Sequence, residues 1–244
     1  MNLFGLTGFP LGHSFSKEYF NNKFETEGLE DCFFELFPLK SIDEFPVLLK
    51  TQASLKGMAV TIPYKESIIP FLQIISGEAK VIGAVNCIEF LPEGLKGHNT
   101  DVTGFEKSFT PLLQPQHTRA LILGTGGASK AVQYVLKKLT IPFLLVSRTP
   151  GVNAITYNEI SEQLLKEYTI IINASPVGMS PHEDEAPQLL YEHIGPAHYL
   201  FDMIYKPAET KFLQQGKNRG AVIKNGYEML LLQAEENWKI WNEL

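Results

Sequence analysis

At 244 residues, with 44% hydrophobic and 20% charged content, the chain has the make-up of a soluble globular protein large enough for one or two ordinary cores. A net charge of −6 with no basic stripe argues against a nucleic-acid partner, and no apolar run approaches the roughly 18 residues that a membrane span requires. The two cysteines, Cys32 and Cys87, are too few for a disulfide framework and fit a reducing compartment.

The N-terminal stretch MNLFGLTGFP has neither the basic n-region nor the long apolar h-region of a signal peptide, so a cytoplasmic protein is expected. Leu3–Leu6, Cys32–Phe37 and Lys56–Val60 read as short strands. Helices are expected between and after them at Ser16–Glu27, Ile42–Lys50 and Glu78–Ile82. A hairpin-like pair follows, Asn86–Phe90 and Leu95–His98, turned by Pro92, Glu93 and Gly94. Beyond a helix starting after Asp101, strands are expected at Ala120–Leu123, Phe143–Val146, Ile170–Ile172, Tyr199–Met203 and Ala221–Ile223. Helices at Asn158–Tyr168 and Glu209–Gln215 lie among them, and an amphipathic helix, YEMLLLQAEENWKIW, follows Asn225-Gly226. Alternation of this kind predicts an α/β architecture of parallel sheets with covered faces. The division into domains is expected at 1–101 plus 227–244 and at 102–226. The histidines (His13, His98, His117, His182, His193 and His198) show no ligand spacing, so no metal site is expected.

Leu121–Leu139, LILGTGGASKAVQYVLKKL, is the most informative segment. An apolar run passes through Gly124, Gly126 and Gly127 into a helix whose Val132, Val135, Leu136 and Leu139 repeat at i, i+3, i+4 and i+7. Strand, glycine turn and helix N-terminus form a pyrophosphate cradle: the glycines admit the phosphates and the free N–H groups face their charge. About half of the chain lies before this turn, enough for a separate domain. The order is therefore substrate domain first, Rossmann-type doubly wound dinucleotide domain second. The following strand, FLLV, ends in Ser147, Arg148 and Thr149 with no acid for a ribose 2′-OH, which suits a 2′-phosphate and hence NADP.

The polar groups of the first half sit at element ends, where open α/β sheets bind ligands. GFPLGHSFS carries Ser14 and Ser16, VTIPYKE carries Thr61 and Lys65, GAVN ends in Asn86, and GHNTDVTGF presents Asp101. Together they suit a polyhydroxylated acid. Singly, Ser16 and Asp101 also read as helix caps, Asn86 as a turn residue and Lys65 as a solvated lysine.

These segments, with LGTGGASKA, SRT, INASPVGM, DMIYKPAET and NGYEMLLLQ, resemble the shikimate dehydrogenases in order and spacing from about Gly5 to Gln233. The resemblance implies reversible NADPH-dependent reduction of 3-dehydroshikimate to shikimate. The expected partners are these small molecules, and the chain is expected as a monomer or homodimer, between which the sequence does not choose. It implies that Ser14 and Ser16 hold the substrate carboxylate and that Thr61, Lys65, Asn86 and Asp101 surround the ring hydroxyls, with Tyr205 and Gln233 completing the pocket. Gly124, Gly126, Gly127, Ala128 and Ser129 would bind the pyrophosphate, and Ser147, Arg148 and Thr149 the adenosine phosphate. Met203 and Gly226 would flank the nicotinamide, above the loop Asn173–Gly178. Lys65 is the candidate for proton transfer and Asp101 for its orientation. The chain departs from the commonest family pattern at Ala59 (usually Asn), Lys17, Phe20, Cys87, Ser147 and Tyr227. Alternative readings are an NAD-linked quinate/shikimate dehydrogenase, against which Ser147-Arg148 speaks; a paralogue acting on a shikimate analogue, hinted at by Ala59; and a non-catalytic NADP/shikimate sensor, against which the retained Lys65 and Asp101 speak.

Overall fold

The structure is a computed structural model and describes residues 1–12, 14–151 and 154–242, so His13 and the last two residues of the expected first domain lie outside it. The chain divides into two compact units, Met1–Thr100 with the chain from Ala234 onward, and Asp101–Gln233.

The first unit is built on six strands: β1 (Asn2–Gly8), β2 (Cys32–Pro38), β3 (Leu55–Val60), β4 (Ile74–Ile75), β5 (Cys87–Leu91) and β6 (Gly94–His98), ordered β2-β1-β3-β5-β6-β4. The sheet is mixed, with the hairpin expected at Asn86–His98 set among parallel strands. β1 runs parallel to β2 and β3, and β4 to β6, but β5 is antiparallel to both β3 and β6. The turn at Pro92-Glu93 sets the β5–β6 pairing: Leu91 pairs with Gly94, and so short a connection can only reverse the chain. Helices α1 (Phe15–Thr26), α2 (Phe45–Thr51) and α3 (Gly77–Ile82) accompany the sheet. Alternation along β3 sends Met58 and Val60 to one apolar cluster with Phe45 and Ile88. Ala59 goes to the other, with Phe4, Phe20 and Phe34.

That second face is closed by the far half of the last helix, α8 (Tyr227–Asn242), through Trp238 and Trp241. Gly57 makes the closure possible, because a Cβ there would lie 2.4 Å from the Trp241 ring. The indole Nε1–H donates to the Ile88 carbonyl at 3.0 Å, satisfying the one polar atom the ring buries. Helix α1 is tied to α8 by Tyr19 and Lys23, both of which donate to the Glu235 carboxylate.

The second unit holds a sheet of β7 (Ala120–Leu123), β8 (Phe143–Ser147), β9 (Ala154–Thr156), β10 (Ile170–Asn173), β11 (Tyr199–Asp202) and β12 (Val222–Lys224). Their order is β12-β11-β10-β7-β8-β9 and every pairing is parallel. This is the doubly wound order, with the direction of winding reversing between β7 and β10. The central strands ALIL, IIIN and YLFD are buried throughout, as strands covered on both faces must be. Its helices are α4 (Asp101–Phe109), α5 (Gly127–Lys138), α6 (Glu162–Glu167) and α7 (Lys211–Lys217). Phe105 and Phe109 of α4 stack 4.8 Å apart and meet Phe201 of β11 edge-on, anchoring α4 to the sheet.

Two strands, β4 and β9, were not expected from the sequence. The helix expected at Asn158–Tyr168 begins at Glu162, capped by Ser161. Residues Tyr157–Glu159 form a 3₁₀ turn instead, held by the Glu159 carboxylate, which accepts from the backbone N–H and hydroxyl of Thr156 at 2.7 Å each. Helix α8 belongs to both units: its residues through Gln233 cluster with the second and those from Ala234 with the first.

Candidate active site

In the second unit all strands are parallel, so each loop following a strand opens at the same carboxyl edge. The β7–α5 turn lies at the point where the winding reverses. Gly124 adopts φ +113°, and a Cβ there would press on the Ala174 backbone at 3.0 Å, so the turn requires glycine. At Gly126, the residue preceding α5, a Cβ would meet nothing within 4 Å. The turn therefore faces open space beside the N–H groups of Gly127 and Ala128 in the first turn of a twelve-residue helix. Ser129 is fully buried and its hydroxyl accepts from Gln133 at 3.0 Å. At the end of the adjacent β8, Arg148 and Thr149 are exposed, and the Thr149 N–H donates to the Ser147 hydroxyl at 3.3 Å. Tyr157 stands near Arg148; burial raises its phenol pKa and the guanidinium offsets part of the rise.

The ends of β10 and β11 are joined by a polar network absent from the sequence reading. The Asp202 carboxylate, fully buried, accepts from the Asn173 amide at 3.1 Å, the Ile204 N–H at 3.0 Å and the Thr210 hydroxyl at 2.5 Å. Asn173 in turn accepts from the N–H and hydroxyl of Ser175, folding the loop Asn173–Gly178. Thr210 caps α7 by accepting from Leu213. Three neutral donors do not repay the lost hydration, so burial pushes the Asp202 pKa up to about 6. Beyond β11, Met203 and Gly226 meet: a Cβ on Gly226 would lie 2.2 Å from the Met203 carbonyl oxygen, and the Gly226 N–H donates to Ile204. Tyr205 is half-buried, and burial raises its pKa.

In the first unit the selected residues gather along one edge of the mixed sheet. The carboxyl ends of the parallel β1 and β3 lead to Ser14, Ser16, Thr61 and Lys65. The antiparallel β5 begins beside the end of β3, with Ala59 opposite Cys87, which brings Asn86 to the same edge. Backbone bonds lock the loops together: Thr61 N–H to Thr7, Phe9 N–H to Ile62, Val60 N–H to Asn86, and Val85 N–H to Lys65 at 2.7 Å. The Tyr64 hydroxyl donates to the Leu39 carbonyl at 2.5 Å and pins the turn between Thr61 and Lys65. Ser14 is the residue preceding α1, but no side-chain capping bond is formed there. Asn86 is buried, and its carbonyl oxygen accepts from the Thr100 N–H at 2.7 Å, so it is no surface turn residue.

In the second unit, Asp101 opens α4 and is buried. Gly104, one turn further on the same face, lets α4 approach α8, where a Cβ would lie 2.5 Å from the Met229 carbonyl oxygen and 3.1 Å from Gln233. Asp101 and Gln233 are thus carried by two helices in close contact. Among the described residues no cluster of three metal-ligating side chains occurs, and no helix is long and apolar enough to cross a membrane.

The family model for the shikimate dehydrogenase substrate binding domain matches residues 6–88. Over 259 residues the chain is 38% identical to a shikimate dehydrogenase (NADP(+)) of Clostridium beijerinckii, covering 100% of this chain and 93% of that one. A shikimate dehydrogenase (NADP(+)) of Aquifex aeolicus is 36% identical over 255 residues, covering 98% and 91%. Among solved structures, shikimate 5-dehydrogenase of Thermus thermophilus in complex with NADP(H) and shikimate superposes with a TM-score of 0.87 at 29% identity, over 100% of this chain and 94% of that one.

Proposed function

The chain belongs to the NADP⁺-dependent shikimate dehydrogenases, and from that premise we propose how its own residues divide the reversible reduction of 3-dehydroshikimate to shikimate. The observation that carries the reading is the glycine turn at the reversal of the second sheet, open at Gly126 and flanked by Arg148 at the end of the neighbouring strand.

NADP(H), when bound, supplies or accepts the hydride. Gly124, Gly126, Gly127, Ala128 and the backbone of Ser129 hold its pyrophosphate. Arg148 binds the 2′-phosphate through charge-assisted hydrogen bonds, with Ser147 and Thr149 beside it. Met203 and Gly226, already pressed together, flank the nicotinamide. Ser14 and Ser16 hold the substrate carboxylate, and Thr61 and Asn86 face the ring hydroxyls. Tyr205 and Gln233 complete the enclosure. Lys65 gives its proton to the oxygen that becomes the hydroxyl as the hydride arrives, and takes it back in oxidation. Asp101 orients the lysine and that oxygen. Both reactants are small molecules, and two unpaired cysteines, Cys32 and Cys87, fit a cytoplasmic enzyme.

The test is the initial rate of cofactor reduction with shikimate and quinate each offered NADP⁺ and NAD⁺. Turnover of shikimate with NADP⁺ alone is expected. Equal rates with quinate or NAD⁺ would reassign the chain to a quinate/shikimate dehydrogenase, and no turnover with NADP⁺ still bound would leave a sensor.

A further inference from the structure

Asn237 is an amide on the apolar side of α8, between Ala234 and the two tryptophans that close the first sheet, and it is 1% exposed. An amide buried there is costly unless its hydrogen bonds are met, and an apolar side chain would serve packing better. Its carbonyl oxygen accepts from the Thr100 hydroxyl at 2.6 Å, across 137 residues of sequence. Thr100, equally buried, lies 3.2 Å through the same hydroxyl from the Asn86 carbonyl oxygen, to which its backbone N–H donates at 2.7 Å. A hydroxyl has one proton, so the shorter contact to Asn237 takes it and the backbone N–H holds Asn86.

Two consequences follow for the groups assigned to substrate. With its oxygen held by a backbone N–H, the Asn86 amide is locked in one flip state and presents N–H donors on the side away from Thr100. Thr100 is also the residue immediately before Asp101, and Asn237 lies one helical turn beyond Gln233 on the same face of α8. The geometry points to Asn237 and Thr100 as positioning residues that fix Asn86 as a hydrogen-bond donor to the substrate and hold the start of α4. This role rests on the shikimate dehydrogenase reading above.

The experiment compares Thr100→Val, Thr100→Ser, Asn237→Leu and the Thr100→Val/Asn237→Leu double variant with the wild type, measuring KM for shikimate, KM for NADP⁺, kcat and Tm. Thr100→Val keeps the shape and the backbone donor and loses only the hydroxyl. Each single apolar variant is expected to raise KM for shikimate about tenfold, the equivalent of one hydrogen bond, while KM for NADP⁺ stays within about twofold. The double variant is expected to be no worse than either single, since both remove one interaction. Thr100→Ser is expected to behave as the wild type. Unchanged shikimate KM, effects that multiply in the double variant, or both KM values rising together with a fall in Tm would overturn the role. If Asn237→Leu does not fold, the Thr100→Val and Thr100→Ser pair decides alone. A wild type that does not turn over shikimate overturns the functional reading and this role together, whereas an active wild type with indifferent variants overturns only this role.

Discussion

The two sheets place functional groups by different means. In the second unit six parallel strands all point the same way, so the carboxyl edge of the sheet is automatically the edge where Gly124, Ser147, Asn173 and Asp202 lie. The first sheet reaches the same end by mixing directions: β1 leads to Ser14 and Ser16 and β3 to Thr61 and Lys65 by their ends, whereas β5, running the other way, delivers Asn86 by its start. The parallel unit needs only a repeated topology and a few glycines. The mixed unit needs long-range side-chain bonds, Thr100 to Asn86 and to Asn237 and Tyr64 to Leu39, to keep unlike loops in register. On the proposed assignment, a regular sheet would serve for a cofactor read mostly by backbone, and an irregular one for a substrate read by side chains.

This division of labour is sharpest at Lys65. Lys65→Ala should lower kcat by roughly 10²–10⁴-fold, the usual worth of general acid–base catalysis, while the Kd for NADP⁺ measured by fluorescence titration stays unchanged. A near-normal kcat with only KM raised would leave Lys65 a binding residue. On the cofactor side, Gly226→Ala drives a Cβ against the Met203 carbonyl, a backbone group that cannot swing aside. A loss of about 1–3 kcal/mol in urea unfolding is expected, together with weakened NADP⁺ binding. Arg148→Ala should cut the preference for NADP⁺ over NAD⁺ by about ten- to a hundredfold with KM for shikimate untouched; an unaltered preference would remove Arg148 from the 2′-phosphate.

The smallest effect concerns Asp202. Its carboxyl, with an ordinary pKa of 3.8, is raised to about 6 by burial, so the folded state binds the proton more tightly than the unfolded one. The cost of burying the charge is absent below the ordinary value and complete above about pH 6, so this group's contribution to stability falls as pH rises between them. Asp202→Asn removes the titration. A Tm series from about pH 4 to 7 should therefore show the variant gaining on the wild type as pH rises, and a constant gap would mean that Asp202 does not titrate in that window.

The parts of the molecule with a period or a turn chemistry could be read directly. The β7–α5 unit announces itself because three glycines interrupt an apolar run and a helical stripe follows. The hairpin is signalled by Pro92, Glu93 and Gly94, yet nothing local says that β5 then inserts against β3 and makes the sheet mixed. Ile74–Ile75 and Ala154–Thr156 are too short to show alternation, so β4 and β9 are visible only as partners of β6 and β8. Residues 158–160 have helical composition, but Glu159 reaching back to Thr156 closes the turn before the helix starts. At the candidate site, motif residues are legible one at a time. Thr100, Asn173, Asp202 and Asn237 are not, because their importance lies in partners up to 137 residues away. Asn237 leaves one trace in the sequence: a polar residue where the amphipathic pattern of α8 asks for an apolar one.

The closure of the first sheet by Trp238 and Trp241 has a consequence for how the protein is made. On the ribosome the strands of that sheet emerge early, but the aromatic ring that lies on Gly57 is translated about 140 residues after Thr100, roughly ten seconds or more at ordinary elongation rates. The second unit is itself complete only at Gln233, eight residues before Trp241, so the first sheet keeps an apolar face uncovered until almost the whole chain has been made. Limited proteolysis of a chain ending at Gln233 should cut the first hundred residues and spare the rest; equal protection would show that the early half closes without its tryptophans.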